Sequence, residues 1–296
     1  MRTLSSRLAL RASTIKLKIN GLCVNKCSFC LFNNDPRLLR LEDIAKFFDS
    51  IRNVPFYAIT VNGGEPTLHP QFEGICHFLK DRFKGRVHLS LGTNLIPISR
   101  ESRKWRSAYR TTLETYDRIE VGCDDEHKNI HFLERLAPAI VSTGIRLHVN
   151  VVAAYCSPAT KERILSLKKR FSFKVTFSGI HHHYRSCPKI NDVKLPCRNR
   201  VRDFLLNCNG DAFFCFHQEM EKPVFNLFNV TEKQLNSYMT QYLPDTYLFC
   251  SSCPVYQPIG RLDFLKDRAF MHVDRFHALR RKIGDWQFAS DKTKVL

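Results

Sequence analysis

The sequence predicts an α/β fold: six strand–helix units in a parallel sheet, then a smaller cysteine-rich domain and a terminal helix. Three observations predict it. Short apolar strands alternate with amphipathic helices over residues 14–178, the pattern of a parallel sheet with helical crossovers. Polar, chemistry-bearing residues recur where the strands end, the edge at which such sheets collect function. From about His181, prolines, cysteines and short aromatic runs replace the regular alternation. Six units can form an open sheet or an incomplete barrel.

Each element has its own signal. Residues 14–20 alternate, with Ile15, Leu17 and Ile19 on one side, and read as a short strand entering a cysteine loop. Leu41, Ile44, Phe48 and Ile51 mark a helical stripe. The strand at 56–61 runs into Asn62-Gly63-Gly64-Glu65-Pro66, and a helix over 70–82 turns Phe72, Ile75 and Leu79 inward. A strand at 86–91 ends at Gly92-Thr93-Asn94. Helix 99–116, strand 118–123, helix 126–142 and strand 145–152 follow, with Pro138 a kink point in the second of these helices. Helix 158–169 starts on Pro158, which suits a first turn, and 171–178 is the sixth strand. The expected divisions are an N-terminal extension at 1–13, a core at 14–185, a second domain at 186–260, and a C-terminal helix and tail at 261–296. The terminal helix, 261–282, carries Leu265, Ala269, Val273, Phe276 and Leu279 on one stripe.

The chain has 296 residues, 44% of them hydrophobic, enough for one large core or a core plus a small domain. A net charge of +18 favours an anionic partner: a phosphorylated metabolite, an acidic peptide or a nucleic acid. There is no aromatic-interleaved basic repeat, no zinc-finger spacing with paired histidines and no RNA-binding signature, which disfavours nucleic acid. Residues 1–13 lack the apolar stretch of about 7–15 residues that a secretory peptide needs. Their Arg, Ser and Leu content faintly resembles an organellar transit peptide, but a plain N-terminal extension is the preferred reading. No apolar run approaches ~20 residues, so no membrane span is expected. A cytoplasmic location follows, and for 12 cysteines it favours metal or catalysis over disulfides.

Cys23, Cys27 and Cys30 are spaced C-x3-C-x2-C. Three thiolates can hold three irons of a four-iron, four-sulfur cube and leave the fourth iron open. A zinc or iron site with a fourth ligand from elsewhere is the alternative. Gly21 and Asn25 help the loop turn, and Phe29 can shield a cluster from water.

With Phe29 and Gly63-Gly64-Glu65-Pro66, these cysteines make roughly residues 14–180 resemble the radical S-adenosylmethionine (SAM) superfamily. The resemblance implies a partial (β/α)6 barrel. It also implies a [4Fe-4S] cluster whose open iron chelates the methionine moiety of SAM. Gly63, Gly64 and Glu65 match the segment that contacts the SAM amino group. Glycines allow close backbone approach, and a carboxylate complements an ammonium. Thr93, Asn94, Asp124 and Asn150 occupy positions where the superfamily often places further cofactor contacts; turn-forming roles are the alternative. The implied reaction is reductive cleavage of SAM to methionine and a 5'-deoxyadenosyl radical, which abstracts a substrate hydrogen. An external reductant such as flavodoxin or ferredoxin would supply the electron.

Cys197, Cys215, Cys250 and Cys253 form a second set. Cys197 and Cys215 flank Gly210, a tight turn between two short strands, and the other two form a C-x2-C knuckle. Four thiolates can hold one iron–sulfur cube or one zinc. This set resembles the twitch domain, a shortened relative of the SPASM domain. The resemblance implies one auxiliary [4Fe-4S] cluster. The spacing is most similar to the AdoMet-dependent aminocyclitol alcohol dehydrogenases, in which that cluster is a plausible acceptor for the electron left on a substrate radical. Cys187 and Cys208 are competing ligands. Cys76 reads as a small buried hydrophobe, while Cys123 and Cys156 follow strands at the catalytic edge.

Asp124, Asp125, Glu126, His127, His181 and His183 are the candidates to accept a substrate proton. For the acidic ones the alternative is a solvated helix start with Asp as cap. The leading function is oxidation of a small hydroxylated metabolite. A peptide or protein maturase competes closely, and a metal-stabilised nucleic-acid-binding protein is the reading from a different class.

Overall fold

Ile15 and Leu17 of the first strand are fully buried, while Lys16 and Lys18 point to its other face. That division runs across the whole sheet. The structure is a computed structural model that describes residues 14–30, 35–52, 56–99, 102–178, 203–213, 223–231 and 233–235. Its elements are β1 (Thr14–Lys18), β2 (Asn20–Gly21), β3 (Asp35–Leu38), α1 (Leu41–Ser50), β4 (Ala58–Asn62), α2 (Phe72–Phe83) and β5 (His88–Thr93). There follow α3 (Arg103–Thr115), β6 (Arg118–Gly122), α4 (Ile130–Ser142), β7 (Arg146–Val152), α5 (Pro158–Phe171) and β8 (Lys174–Ser178). The last three strands are β9 (Asp203–Leu206), β10 (Asp211–Phe213) and β11 (Phe225–Asn226).

The main sheet has the order β11-β10-β9-β1-β4-β5-β6-β7-β8. From β1 to β8 the strands are parallel and in chain order, each joined to the next by a helix. Winding in one direction with one hand of crossover puts the helices on one face. Burial agrees. Ile59, Val61, Leu89, Leu91, Ile119, Val121, Leu147 and Val149 are buried in one cluster with Ile44, Phe47, Ile75, Leu79, Leu133 and Ile164 of the helices. The opposite face carries Lys16, Lys18, Thr60, Asn62, Ser90, Glu120, His148, Asn150 and Thr176. A closed barrel of this class fills its interior with branched apolar residues. Here that face is polar, and among the described residues the sheet does not close.

Local chemistry sets the helix ends. Ser157 accepts from the Thr160 amide, Pro158 opens α5, and Ser172 ends it in the left-handed region. α4 begins at Ile130, four residues later than its apolar pattern suggests. The Asp124 carboxylate takes the amides of Glu126 and His127, and Lys128 has a φ of 53°, so a turn replaces the first helical turn. α4 runs on through Pro138. No described helix is long and apolar enough to cross a membrane. The predicted helix at 261–282 lies outside the described residues.

Gly210 does form a tight turn between two strands, with a φ of 76°. Those strands are not detached from the core. β9 pairs parallel with β1, Thr14 opposite Asp203, and β10 returns antiparallel to it. Phe204 of β9 is fully buried and stacks on Phe47 of α1 with ring centroids 5.5 Å apart. Phe204, Leu206, Ala212, Phe225 and Leu227 thus share one buried cluster with the residues before 178. Phe204→Ala is expected to cost about 3–5 kcal/mol in the main urea unfolding transition. An unchanged main transition would show that β9 folds apart from it.

Candidate active site

The chain leaving β4 packs backbone-to-backbone against the chain leaving β1. The Gly64 amide donates to the Asn20 carbonyl at 2.9 Å, and the Glu65 amide to Leu22 at 2.6 Å. A Cβ on Gly64 would stand 2.3 Å from the Leu22 oxygen, and one on Gly63 2.7 Å from that of Asn20. These glycines are therefore required by the approach to the cysteine loop itself, besides any ligand. Both line a cavity of about 350 Å³ that opens at the C-terminal ends of the strands.

Glu65 faces the other way. Its carboxylate is fully buried and does not line the cavity. One oxygen accepts from the Thr67 amide (3.2 Å), the Thr67 hydroxyl (2.6 Å) and the Thr93 hydroxyl (2.9 Å); the other accepts from the Asn94 amide (2.7 Å). Burial pushes the carboxyl up from its ordinary value while these donors pull it back. Pro66 is buried at the start of a 3₁₀ turn, Pro66–Leu68, and is also off the cavity. In this geometry the Glu65 carboxylate is a strut that holds β4 to β5. What the strut presents to the cavity is Thr93 and Asn94, and the Asn94 amide group reaches the Cys23 sulfur at 3.7 Å.

The cysteine loop docks on the β6–α4 loop. Asn25 Nδ2 donates to the His127 carbonyl (2.9 Å), the Ser28 amide to Glu126 Oε2 (3.1 Å), and Cys27 Sγ to the Glu126 carbonyl (3.6 Å). Phe29 sits between the rings of His127 and Tyr155, at 5.5 and 5.1 Å. Cys23, Cys27 and Cys30 all line the cavity. Burial, then the neighbouring Cys30, push the Cys27 thiol up to about 12. Among the described residues no three His, Cys, Asp or Glu gather closely enough to hold a single metal ion. Three thiols spread around one cavity suit a polynuclear cluster, where each thiolate takes a different iron, better than one tetrahedral zinc.

The four candidates after β6 separate cleanly. Asp124 is 1% exposed; its Oδ1 accepts from His127 Nδ1 at 2.8 Å and its Oδ2 from the Val152 amide. Asp125 caps α5 through the Ser157 amide and the Thr160 hydroxyl. Glu126 holds the cysteine loop. Only the ring of His127 lines the cavity. Gly122 makes room for it: a Cβ there would lie 2.7 Å from His127 Nε2. Asn150 also lines the cavity. Cys76 is buried beside the Tyr116 hydroxyl, and neither Cys123 nor Cys156 reaches the cavity. His181, His183, Cys187, Cys197, Cys215, Cys250 and Cys253 lie outside the described residues.

Lys18, Asn62, Glu120 and Leu205 line the cavity as well and were missed from the sequence. The signal was present for the first three, as polar residues alternating with apolar ones along β1, β4 and β6.

Comparisons with known proteins fit this geometry. Residues 17–140 match the family described as Radical SAM superfamily. GTP 3',8-cyclase of Pasteurella multocida (strain Pm70) is 27% identical over 105 residues, which is 33% of this chain and 31% of that protein. Among solved structures, Streptococcus suis SuiB bound to precursor peptide SuiA superposes with a TM-score of 0.59 at 13% identity. That match covers 78% of this chain and 65% of SuiB, just under two thirds. Native anSMEcpe with bound AdoMet and Cp18Cys peptide gives 0.53 at 13% identity, over 91% of this chain and 99% of that one. At these identities the structural likeness is one of fold.

Two variants test the site's construction. Glu65→Gln turns an amide N–H toward a donor and is expected to destabilise the apoprotein by about 1–3 kcal/mol in urea unfolding. A negligible change would rule out the strut. Glu126→Ala should raise hydrogen–deuterium exchange over residues 24–30 and leave α5 unaffected; unchanged exchange in that loop would count against the docking.

Proposed function

From the radical SAM superfamily domain that residues 17–140 form, we propose that this enzyme holds a [4Fe-4S] cluster on Cys23, Cys27 and Cys30. We propose further that it binds SAM beside the cluster and removes hydrogen from a small hydroxylated metabolite. The observation that carries this reading is the lining of one cavity by the three cysteines together with Gly63, Gly64, Thr93, Asn94 and His127. Cys23, Cys27 and Cys30 would hold the first cluster, which with SAM would supply radical chemistry for hydrogen abstraction, and Cys197, Cys215, Cys250 and Cys253 would hold a second cluster able to accept the electron left on substrate.

The chain's own residues do the rest. Because a carboxylate only accepts, Asp124 accepts the hydrogen bond of His127 Nδ1–H, fixing the proton on Nδ1 and leaving Nε2 as the acceptor. His127 Nε2 is then the atom that receives the proton lost as a hydroxyl-bearing carbon becomes a carbonyl. Asp125, held by Ser157 and Thr160, and Glu126, held by the Ser28 amide, do not line the cavity and take no part. Phe29, in tilted ring contact with both His127 and Tyr155, helps wall the cysteine loop from water. The electron comes from an external donor of the flavodoxin or ferredoxin type.

A peptide substrate is the second reading. It is favoured by the fold shared with SuiB, solved with precursor peptide SuiA, and with anSMEcpe, solved with the Cp18Cys peptide. The nucleic-acid reading has no such support.

Anaerobic reconstitution tests the proposal. About eight irons per chain are expected, with about four lost in Cys197→Ala and the SAM response lost in Cys23→Ala. Reduction in the presence of SAM should release methionine and 5'-deoxyadenosine. A protein that takes up only zinc, with no spectral change on adding SAM, would exclude radical chemistry.

A further inference from the structure

The charge at the start of α3 runs against its helix dipole. The first turns of α1 and α2 hold Glu42, Asp43 and Glu73, acids that suit the positive end of a helix. The first turn of α3 has no acid and holds Arg103, Lys104 and Arg106, with Arg110 a turn further on. All four are exposed. At about 100° per residue, Arg103, Arg106 and Arg110 share roughly 60° of arc and span roughly 10 Å of the helix. Their guanidinium groups have no hydrogen-bond or ion-pair partner among the described residues. Lys104 lies over the Trp105 ring, 5.0 Å from its centroid.

The acids beside this stripe have donors of their own. Glu73 of α2 accepts from the Ser107 hydroxyl at 2.7 Å, and Glu114, near the far end of α3, is held by Lys80 at 2.9 Å. Glu73 keeps its charge and offsets part of the stripe, and the balance stays positive. The stripe also has a place relative to the cavity. α3 follows β5, whose end presents Thr93 and Asn94 to the cavity. A crossover helix starts at the edge where its strand ends. Arg103 and Arg106 therefore stand at the cavity's end of the molecule, and Arg110 further down its outside. Arg135 of α4 donates to the Ser99 carbonyl and brings a further cation beside the connection from β5 to α3.

We propose that Arg103, Arg106 and Arg110 dock an acidic segment of a peptide substrate, whose neighbouring residues then reach the cavity. The proposal rests on the peptide reading above and adds where, and by what chemistry, the peptide is held. Each guanidinium offers a fork of N–H donors to a carboxylate. Bound carboxylates would also relieve the repulsion among the arginines and their conflict with the helix dipole. Other polyanions fit this face less well. Single-stranded nucleic acid is held by exposed aromatic rings between the cations, but Trp105 is buried and no exposed large hydrophobic residue among those described lies on α3. An anionic membrane calls for apolar side chains beside the cations, and the same face lacks them.

The test uses full-length reconstituted protein and a fluorescein-labelled oligoglutamate peptide, with binding followed by anisotropy at fixed ionic strength. Saturable binding is expected. The triple variant Arg103→Gln, Arg106→Gln, Arg110→Gln should weaken it about ten-fold. These positions are exposed, and glutamine keeps the helix propensity. A second triple, Lys168→Gln, Lys169→Gln, Arg170→Gln, removes the same charge from the far end of α5 and should leave binding within about two-fold of wild type. Equal weakening by both triples would mean attraction to net charge alone and would overturn the proposal. So would wild-type binding by the α3 triple, or no saturable binding at all. Tighter, stripe-dependent binding of oligothymidylate would assign the face to nucleic acid instead, and of phosphatidylserine vesicles to a membrane. A photoreactive group at the peptide's end separates the site from the reading it rests on. Crosslinks to residues lining the cavity support both. Stripe-dependent binding with no such crosslink would overturn the peptide as substrate, whereas the two triples alone decide whether α3 holds it.

Discussion

One buried carboxylate holds the site together. Glu65 is placed by backbone pairing of its segment with residues 20–22, and its oxygens then reach Thr67, Thr93 and Asn94. The ends of β4 and β5 are joined through that single side chain, and the end of β1 through the backbone of the same segment. An acid buried this completely survives only where donors surround it, and the donors here belong to the segments that must be aligned. Asn129 extends the tie to β6 by donating to the carbonyls of Asn94 and Gly122. The cysteine loop has no regular structure of its own, so its position depends on these neighbours.

A second carboxylate repeats the device on the other side of the cavity. Asp124 binds the amides that shape the β6–α4 loop, orients His127, and reaches across to the Val152 amide. Glu126 and the carbonyls of Glu126 and His127 then receive the cysteine loop. The same short loop therefore both grips the thiol-bearing segment and presents an imidazole to the cavity. Displacement of one is felt by the other through Phe29 and His127, whose rings are in contact.

The strand–helix alternation was legible because each strand shows one apolar face and each helix one apolar stripe, and local periodicity records both. Cys23, Cys27, Cys30, Gly63, Gly64, Thr93 and Asn94 could be placed near one another because all sit at strand ends in a parallel sheet. The direction of a side chain was not legible. Glu65, Asp124, Asp125 and Glu126 are all acids in loops, and only three-dimensional donors show that each is turned to a structural task. Lys18 and Glu120 were passed over because a polar residue inside a strand reads as solvent-facing until the face opposite the helices is seen to line a cavity. β9 was assigned to a separate unit because its pairing with β1 spans most of the chain and leaves no local trace.

That pairing also bears on biogenesis. β1 leaves the ribosome before β4 to β8, yet its outer neighbour begins only at Asp203. While β4 to β8 are added one after another on one side, β1 keeps an unpaired edge of backbone amides and carbonyls on the other. Long-range pairing of this kind is slow, and open edges invite association with other chains. The strand that leads into the cysteine loop is therefore the last of the parallel set to be enclosed. Under the proposed function, loading of the cluster into that loop and completion of the sheet are events that the chain must order in time.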